Sequence, residues 1–153
     1  MSHPAPPAGP FEPLPVMDRQ DAAGWARQLT EYLARSAGVA LAPGSAGPSF
    51  RPCVGRGGEV AADGRYTLSY AVYSDVPAAR HPEAVRRIRA ALEQEGFEVG
   101  GYRETLAGRP DALLDAFRAE GRYLVGVEST VGAGRLLFRV VTRCLMPPAP
   151  GSG

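Results

Sequence analysis

Two stretches of the chain repeat apolar residues at the helical spacing of three or four positions. The repeated residues are Trp25, Leu29 and Leu33 in the first stretch and Val85, Ile88 and Leu92 in the second. This spacing places them on one side of a helix, and that side has to be buried. The pattern predicts helices over residues 17–37 and 82–95, with Gly38 and Gly96 suited to end them.

Strands are predicted in five further stretches, mainly from the alternation of apolar and polar residues. They cover residues 66–74, 97–105, 112–119, 122–130 and 135–144. The stretch 112–119 is ambiguous, because its residue types favour a helix while its neighbours favour a strand that leads into the turn at Gly121. We assign it to a strand.

The last two strands predict a hairpin, because a glycine-rich turn at residues 131–134 joins them. Pairing the strands about this turn sets Val127 opposite Phe138 and Val125 opposite Val140, all on one face. The hairpin therefore contributes one apolar face to a core.

The other face of the last strand carries three arginines, at Arg135, Arg139 and Arg143. Such a row is a candidate anion-binding face. The alternative is that the row is simply the solvated outer face of the sheet.

The remaining segments are rich in proline and glycine. Residues 1–16 predict a disordered tether, since six prolines fall within the first 15 positions. Residues 41–65 predict a loop, and residues 147–153 a disordered tail. The whole pattern predicts a single α+β domain over residues 17–146. We expect an antiparallel sheet of about four or five strands, with two helices packed mainly on one of its faces.

Composition places the chain in the ordinary globular class. Of its 153 residues, 44% are hydrophobic and 22% are charged, and the net charge is +1. A balance this close to neutral does not favour nucleic acid as a partner. All 17 basic residues are arginines, a bias typical of a GC-rich genome. No apolar run approaches the length that crosses a bilayer.

The chain has two cysteines, Cys53 and Cys144, which bracket most of the predicted core. This placement predicts a disulfide between them, and a disulfide indicates an oxidising compartment. Cys144 has the same parity as Phe138 and Val140, so its sulfur is expected to point toward the core. The alternative is a pair of buried free thiols in a cytosolic protein.

Residues that carry chemistry are scarce. The histidines are His3, in the tether, and His81, in a turn where helix capping is its expected role. Two cysteines and two histidines without close spacing do not predict a metal site. The glycine-rich stretch 55–58 lacks the Lys and Ser/Thr that complete a phosphate loop. We therefore expect no catalytic residue, no cofactor and no enzymatic activity.

The order of elements follows a recognisable pattern. It consists of a first helix (22–37), a cysteine in a proline-rich loop (Cys53), a strand (65–74), a helix ending in a Gly-aromatic step (81–97) and a last strand ending in cysteine (135–147). This order resembles the extracytoplasmic domains of small actinobacterial envelope proteins, often lipoproteins of unknown function. The resemblance implies no active-site residues.

These observations lead to a functional expectation. The leading hypothesis is a monomeric, non-enzymatic binding or accessory module of the cell envelope, with an unknown protein or envelope partner. An anchor upstream of the sequence would supply any contact with a membrane. The alternative is a cytosolic protein-interaction or regulatory domain with free thiols, because residues 1–16 lack the features of a signal peptide.

Overall fold

A computed structural model describes residues 16–45, 47–55, 57–130 and 134–149. The elements are α1 (Arg19–Ala37), β1 (Pro48–Pro52), β2 (Tyr66–Asp75), α2 (His81–Gln94), β3 (Glu98–Leu106), β4 (Arg109–Arg118), β5 (Tyr123–Ser129) and β6 (Arg135–Val141). Both predicted helices are present, and the ambiguous stretch 112–119 belongs to a strand. Most of the predicted tether, turn 131–134 and tail lies outside the described residues. Val16 belongs to the described part, and there it forms a β-bridge with Met146.

The six strands form one antiparallel sheet in the order β1-β2-β6-β5-β4-β3. The expectation of four or five strands was too low, because β1 falls inside the predicted loop 41–65. Prolines at both ends of β1 argue against a strand from sequence alone. However, β1 is an edge strand, and only every second residue along it forms hydrogen bonds with β2. The flanking Gly47 and Cys53 belong to this bonded set, and the two prolines do not. Pro48 and Pro52 therefore stand at positions where a missing N–H is not needed.

The core lies between one face of the sheet and the two helices. Helix α1 packs on β2 and β6, and α2 packs on β3 and β4. Its fully buried apolar residues include Leu29, Leu33, Leu68, Ile88, Leu92, Leu114, Leu136, Phe138 and Leu145. The predicted hairpin register is confirmed, since Val127 pairs with Phe138 and Val125 with Val140. Both helices thus cover the same face of the sheet.

The ends of α1 are set by local chemistry. Asp18 accepts a hydrogen bond of 2.7 Å from the Asp21 N–H, which satisfies one of the unpaired donors of the first turn. Gly38 stops the helix with a φ of 72°, a left-handed conformation that glycine adopts without strain. The described helix therefore begins at Arg19, two residues after the predicted start.

His81 does not cap α2, which corrects its expected role. The helix begins at His81 itself, and the imidazole is fully buried. Its Nε2 lies 2.7 Å from the Val76 carbonyl oxygen, and because a carbonyl only accepts, Nε2 carries the hydrogen. In the neutral ring, Nδ1 then accepts from the Ser129 hydroxyl at 2.7 Å. Both ring nitrogens are thus used inside the protein.

Cys53 and Cys144 are joined by a disulfide across 91 positions of sequence. The orientation expected for Cys144 was wrong, because Leu145 enters the core in its place. Thr142 donates its N–H to Leu68 O, and the next bonded pair is Leu145 with Tyr66. The C-terminal segment thus advances three residues while β2 advances two. This extra residue is a β-bulge, which reverses the side-chain alternation and turns Cys144 toward Cys53.

Candidate functional site: a groove beside helix α1

A groove runs between α1 and the described residues before and at the start of β1, namely 39–45, 47 and 48. It consists of two adjoining cavities with volumes of about 540 Å³ and about 300 Å³. Arg27 and Tyr70 line both cavities, so the two lie side by side. The larger cavity alone lies within the size range of small-molecule sites.

The outer wall of the groove is held to β2 by hydrogen bonds. The Ala42 N–H donates to the Tyr73 carbonyl at 2.8 Å. The Ser74 hydroxyl donates to the Ala40 carbonyl at 2.5 Å, and the Ser45 hydroxyl oxygen accepts from the Tyr73 N–H at 3.1 Å. Because these bonds tether three separate positions of the segment, the groove is formed before any ligand arrives.

The floor of the groove is apolar and its helical rim is charged. Ala34, Val39, Leu41, Tyr70 and Val72 contribute to the floor of the larger cavity. The rim is formed by three exposed residues of α1 at steps of four, namely Arg27, Glu31 and Arg35. A ligand in the groove would meet apolar surface below, and beside it a rim with two guanidinium groups and one carboxylate, that of Glu31.

Three side chains of this groove, those of Arg27, Arg35 and Tyr70, carry hydrogen-bond donors without a partner in the described part of the chain. Neither Arg27 nor Arg35 forms an ion pair with a described carboxylate, and the Tyr70 hydroxyl makes no hydrogen bond to a described residue. Burial is the main cause that raises the pKa of Tyr70. The charge of Arg27 lowers this pKa and the charge of Glu31 raises it, both by less than burial does. The phenol of Tyr70 therefore stays protonated at neutral pH and can donate a hydrogen bond.

The arginines singled out from the sequence are not in this groove. Arg135 pairs with Asp75 at 2.8 Å, and Arg139 pairs with Glu128 at 2.9 Å, both on the sheet face opposite the helices. Arg143 is exposed and follows the end of β6. Anion binding by this row stays a prediction, and two of its three charges already have a carboxylate beside them.

Sequence reasoning missed the groove, although one signal of it was present. The charged residues Arg27, Glu31 and Arg35 share a helical face at steps of four, which is also the pattern of any solvated helix. The groove exists because residues 39–45, 47 and 48 lie opposite that face, and this proximity depends on the pairing of β1 with β2.

The described residues contain no group of three or more His, Cys, Asp or Glu side chains placed to hold a metal ion. Neither described helix carries an apolar stretch long enough to cross a bilayer.

Comparisons with known proteins do not name a family. No protein-family model matches the chain, and no curated protein matches it either.

Proposed function

We propose that this protein is a non-enzymatic binding module of the cell envelope that holds an amphipathic anion in the groove beside α1. The ligand class is a carboxylate or phosphate group carrying an apolar chain. The apolar part lies on the floor near Leu41 and Val72, and the anionic group faces Arg27 and Arg35.

One observation carries this proposal, the set of three donors without partners around an apolar floor. Arg27, Arg35 and Tyr70 all line the same cavity. Hydrogen bonds from cationic donors to a carboxylate or phosphate are about twice as strong as neutral ones. A ligand with acceptor oxygens at one end and hydrocarbon at the other satisfies both parts of the groove.

The engagement of His81 supports a binding role rather than catalysis. Histidine is the side chain most often used for proton transfer at neutral pH. Here the ring is fully buried, and both of its nitrogens are bonded to groups of the protein. It is therefore not presented to a substrate.

The disulfide supports the location in the envelope, since such bonds persist mainly outside the reducing cytosol. The location is tested by trapping free thiols in the native cells with an alkylating agent and measuring the intact mass without reductant. An unlabelled chain that takes two labels only after reduction and denaturation is expected. Two labels before reduction would favour the alternative, a cytosolic interaction domain.

Ligand binding is tested with decanoate and decyl phosphate as probes in isothermal titration calorimetry. Both are expected to bind the full chain, whereas decyltrimethylammonium, with the same apolar tail and the opposite charge, is not. Arg27→Ala and Arg35→Ala each remove one charge-assisted contact with the ligand. Each substitution is expected to weaken binding roughly tenfold or more.

Arg109→Ala is the matched control, because Arg109 is an exposed arginine at the start of β4 that lies outside both cavities and outside the arginine row of β6. Its affinity is expected to equal that of the wild type. Equal weakening by all three substitutions would mean nonspecific attraction of anions. Binding of the cationic probe as tightly as decanoate would overturn the proposed ligand class.

A further inference from the structure

The sheet face opposite the helices has no layer over it within the described residues. On β4, β5 and β6 this face carries large apolar side chains, namely Leu113, Phe117, Leu124, Leu137 and Val141. Three of them are cross-strand neighbours, because Phe117 pairs with Leu124 and Leu124 with Val141. Phe117 is 37% exposed and Leu124 is 49% exposed. A connected apolar row of this kind is typical of a contact surface.

A charged row runs beside the apolar one. Asp115 pairs with Gly126, and Gly126 pairs with Arg139, so the glycine separates two opposite charges on neighbouring strands. Asp115 Oδ1 lies 3.2 Å from the position that a Cβ on Gly126 would occupy. Within the described part of the chain, Asp115 forms no ion pair. A shallow depression of about 420 Å³ lies here, lined by Asp115, Gly126 and Arg139.

The pattern is complementary to itself. A second copy can be laid face to face on this sheet about a two-fold axis that runs parallel to β5 and passes over Gly126. In that arrangement β4 of one copy lies over β6 of the other. Asp115 then faces Arg139 of the second copy, and the reverse contact is formed as well. In the same arrangement Leu124 meets its own counterpart, and Phe117 meets Val141 of the second copy. Isologous contacts of this kind are what a two-fold dimer requires.

We propose that the open sheet face binds a second copy of this chain in this arrangement. Glu128 is the charged residue that would meet its own counterpart, and Arg139 lies 2.9 Å from it and offsets its charge. A guanidinium has five N–H donors, so Arg139 can contact Glu128 of its own chain and Asp115 of the second copy at the same time. The proposal differs from the monomer expected from the sequence. It is also independent of the groove, which lies on the helical side of the sheet.

Sedimentation of the full, oxidised chain across a range of concentrations tests the dimer. The wild type is expected to reach twice the mass of one chain. Asp115→Arg or Arg139→Glu alone places like charges opposite each other and is expected to weaken association at least about tenfold. Mixing the two variants restores both attractive contacts, so the mixture is expected to form a dimer although each variant alone does not. A wild type that stays monomeric, or a mixture that stays monomeric, would overturn the proposal.

Arg139→Glu also removes the contact with Glu128, so its folding is checked by circular dichroism. Leu124→Glu provides a second variant, because its side chain is half exposed and its charge would meet its own counterpart at the axis. Val60→Glu is the matched control, since Val60 is 60% exposed in the segment between β1 and β2 and does not belong to β4, β5 or β6. We expect Leu124→Glu to be monomeric and Val60→Glu to associate as the wild type does. Equal association of both variants would contradict the proposed face.

Discussion

The imidazole Nδ1 of His81 lies 2.7 Å from the hydroxyl oxygen of Ser129, 48 positions further along the chain. The same hydroxyl oxygen accepts from the Ala112 N–H at 2.8 Å. This chain of hydrogen bonds links the first residue of α2 to β5 and β4. The start of the helix is thereby held against the sheet by directional contacts, whereas apolar burial is non-directional.

The first prediction concerns this link. His81→Ala removes a fully buried side chain and leaves the Val76 carbonyl without its donor. Lost packing and the unpaired group together are expected to lower the free energy of unfolding by about 2 to 4 kcal/mol. Urea denaturation measures the change, with Arg80→Ala as the exposed neighbouring control. A loss below about 0.5 kcal/mol, the usual scale of a surface substitution, would show that the link does not stabilise the fold.

The second prediction concerns the disulfide. Its loop spans 91 positions, and constraining an unfolded chain over that length is worth about 4 to 5 kcal/mol in the chain-entropy model. Replacing both cysteines with serine is expected to lower the free energy of unfolding by a value of this order. Chemical denaturation of the oxidised wild type and the variant measures it. If the wild type measured in reductant is as stable as the oxidised form, the disulfide does not contribute to the fold.

The third prediction concerns Gly24, which lies inside α1. Its φ is not positive, and a Cβ built on it meets nothing within 4 Å. Gly24→Ala is therefore expected to stabilise the protein by about 0.5 to 1 kcal/mol, because alanine loses less backbone freedom on folding. Thermal or urea unfolding measures the gain. Gly38→Ala is the opposite control, since Gly38 has a φ of 72° and the substitution should destabilise.

The fourth prediction concerns the carboxylate of Glu104. Hydrogen bonds from Arg86 first, and from the Tyr102 hydroxyl second, lower the pKa of Glu104 from 4.5 to about 2. A folded-state pKa below the ordinary value means that the carboxylate stabilises the fold above about pH 4.5, and that this contribution is lost as the pH falls through about 2. In Arg86→Ala the pKa of Glu104 is expected to return toward 4.5.

A titration of the Glu104 side chain followed by NMR measures this shift. Tyr102→Phe is expected to raise the pKa by a smaller amount, because it removes the second of the two donors. Arg87→Ala is the matched control, since Arg87 is an exposed arginine of α2 that pairs with Glu83 instead. An unchanged pKa in Arg86→Ala would contradict the assignment of Arg86 as the main cause.

Part of the candidate site was foreseeable from the sequence. The steps of four that place Leu29 and Leu33 in the core also place Arg27 and Arg35 at the solvent side of α1. The register that joins Val125 to Val140 followed from parity and the position of the turn. By contrast, β1 was missed because its prolines argue against a strand, and only its edge position makes them acceptable.

What the sequence by itself determined is the local periodicity: which faces of the helices and strands are buried, and which two cysteines are available to pair. Those features depend on residues close together in the chain. The tertiary structure decided the bulge that turns Cys144 outward, the contact of His81 with Ser129 and the wall that closes the groove beside Tyr70. It also decided that Asp115, Gly126 and Arg139 share one row. Each of these relationships joins residues on different strands or helices, so it exists only once the order and register of the sheet are set.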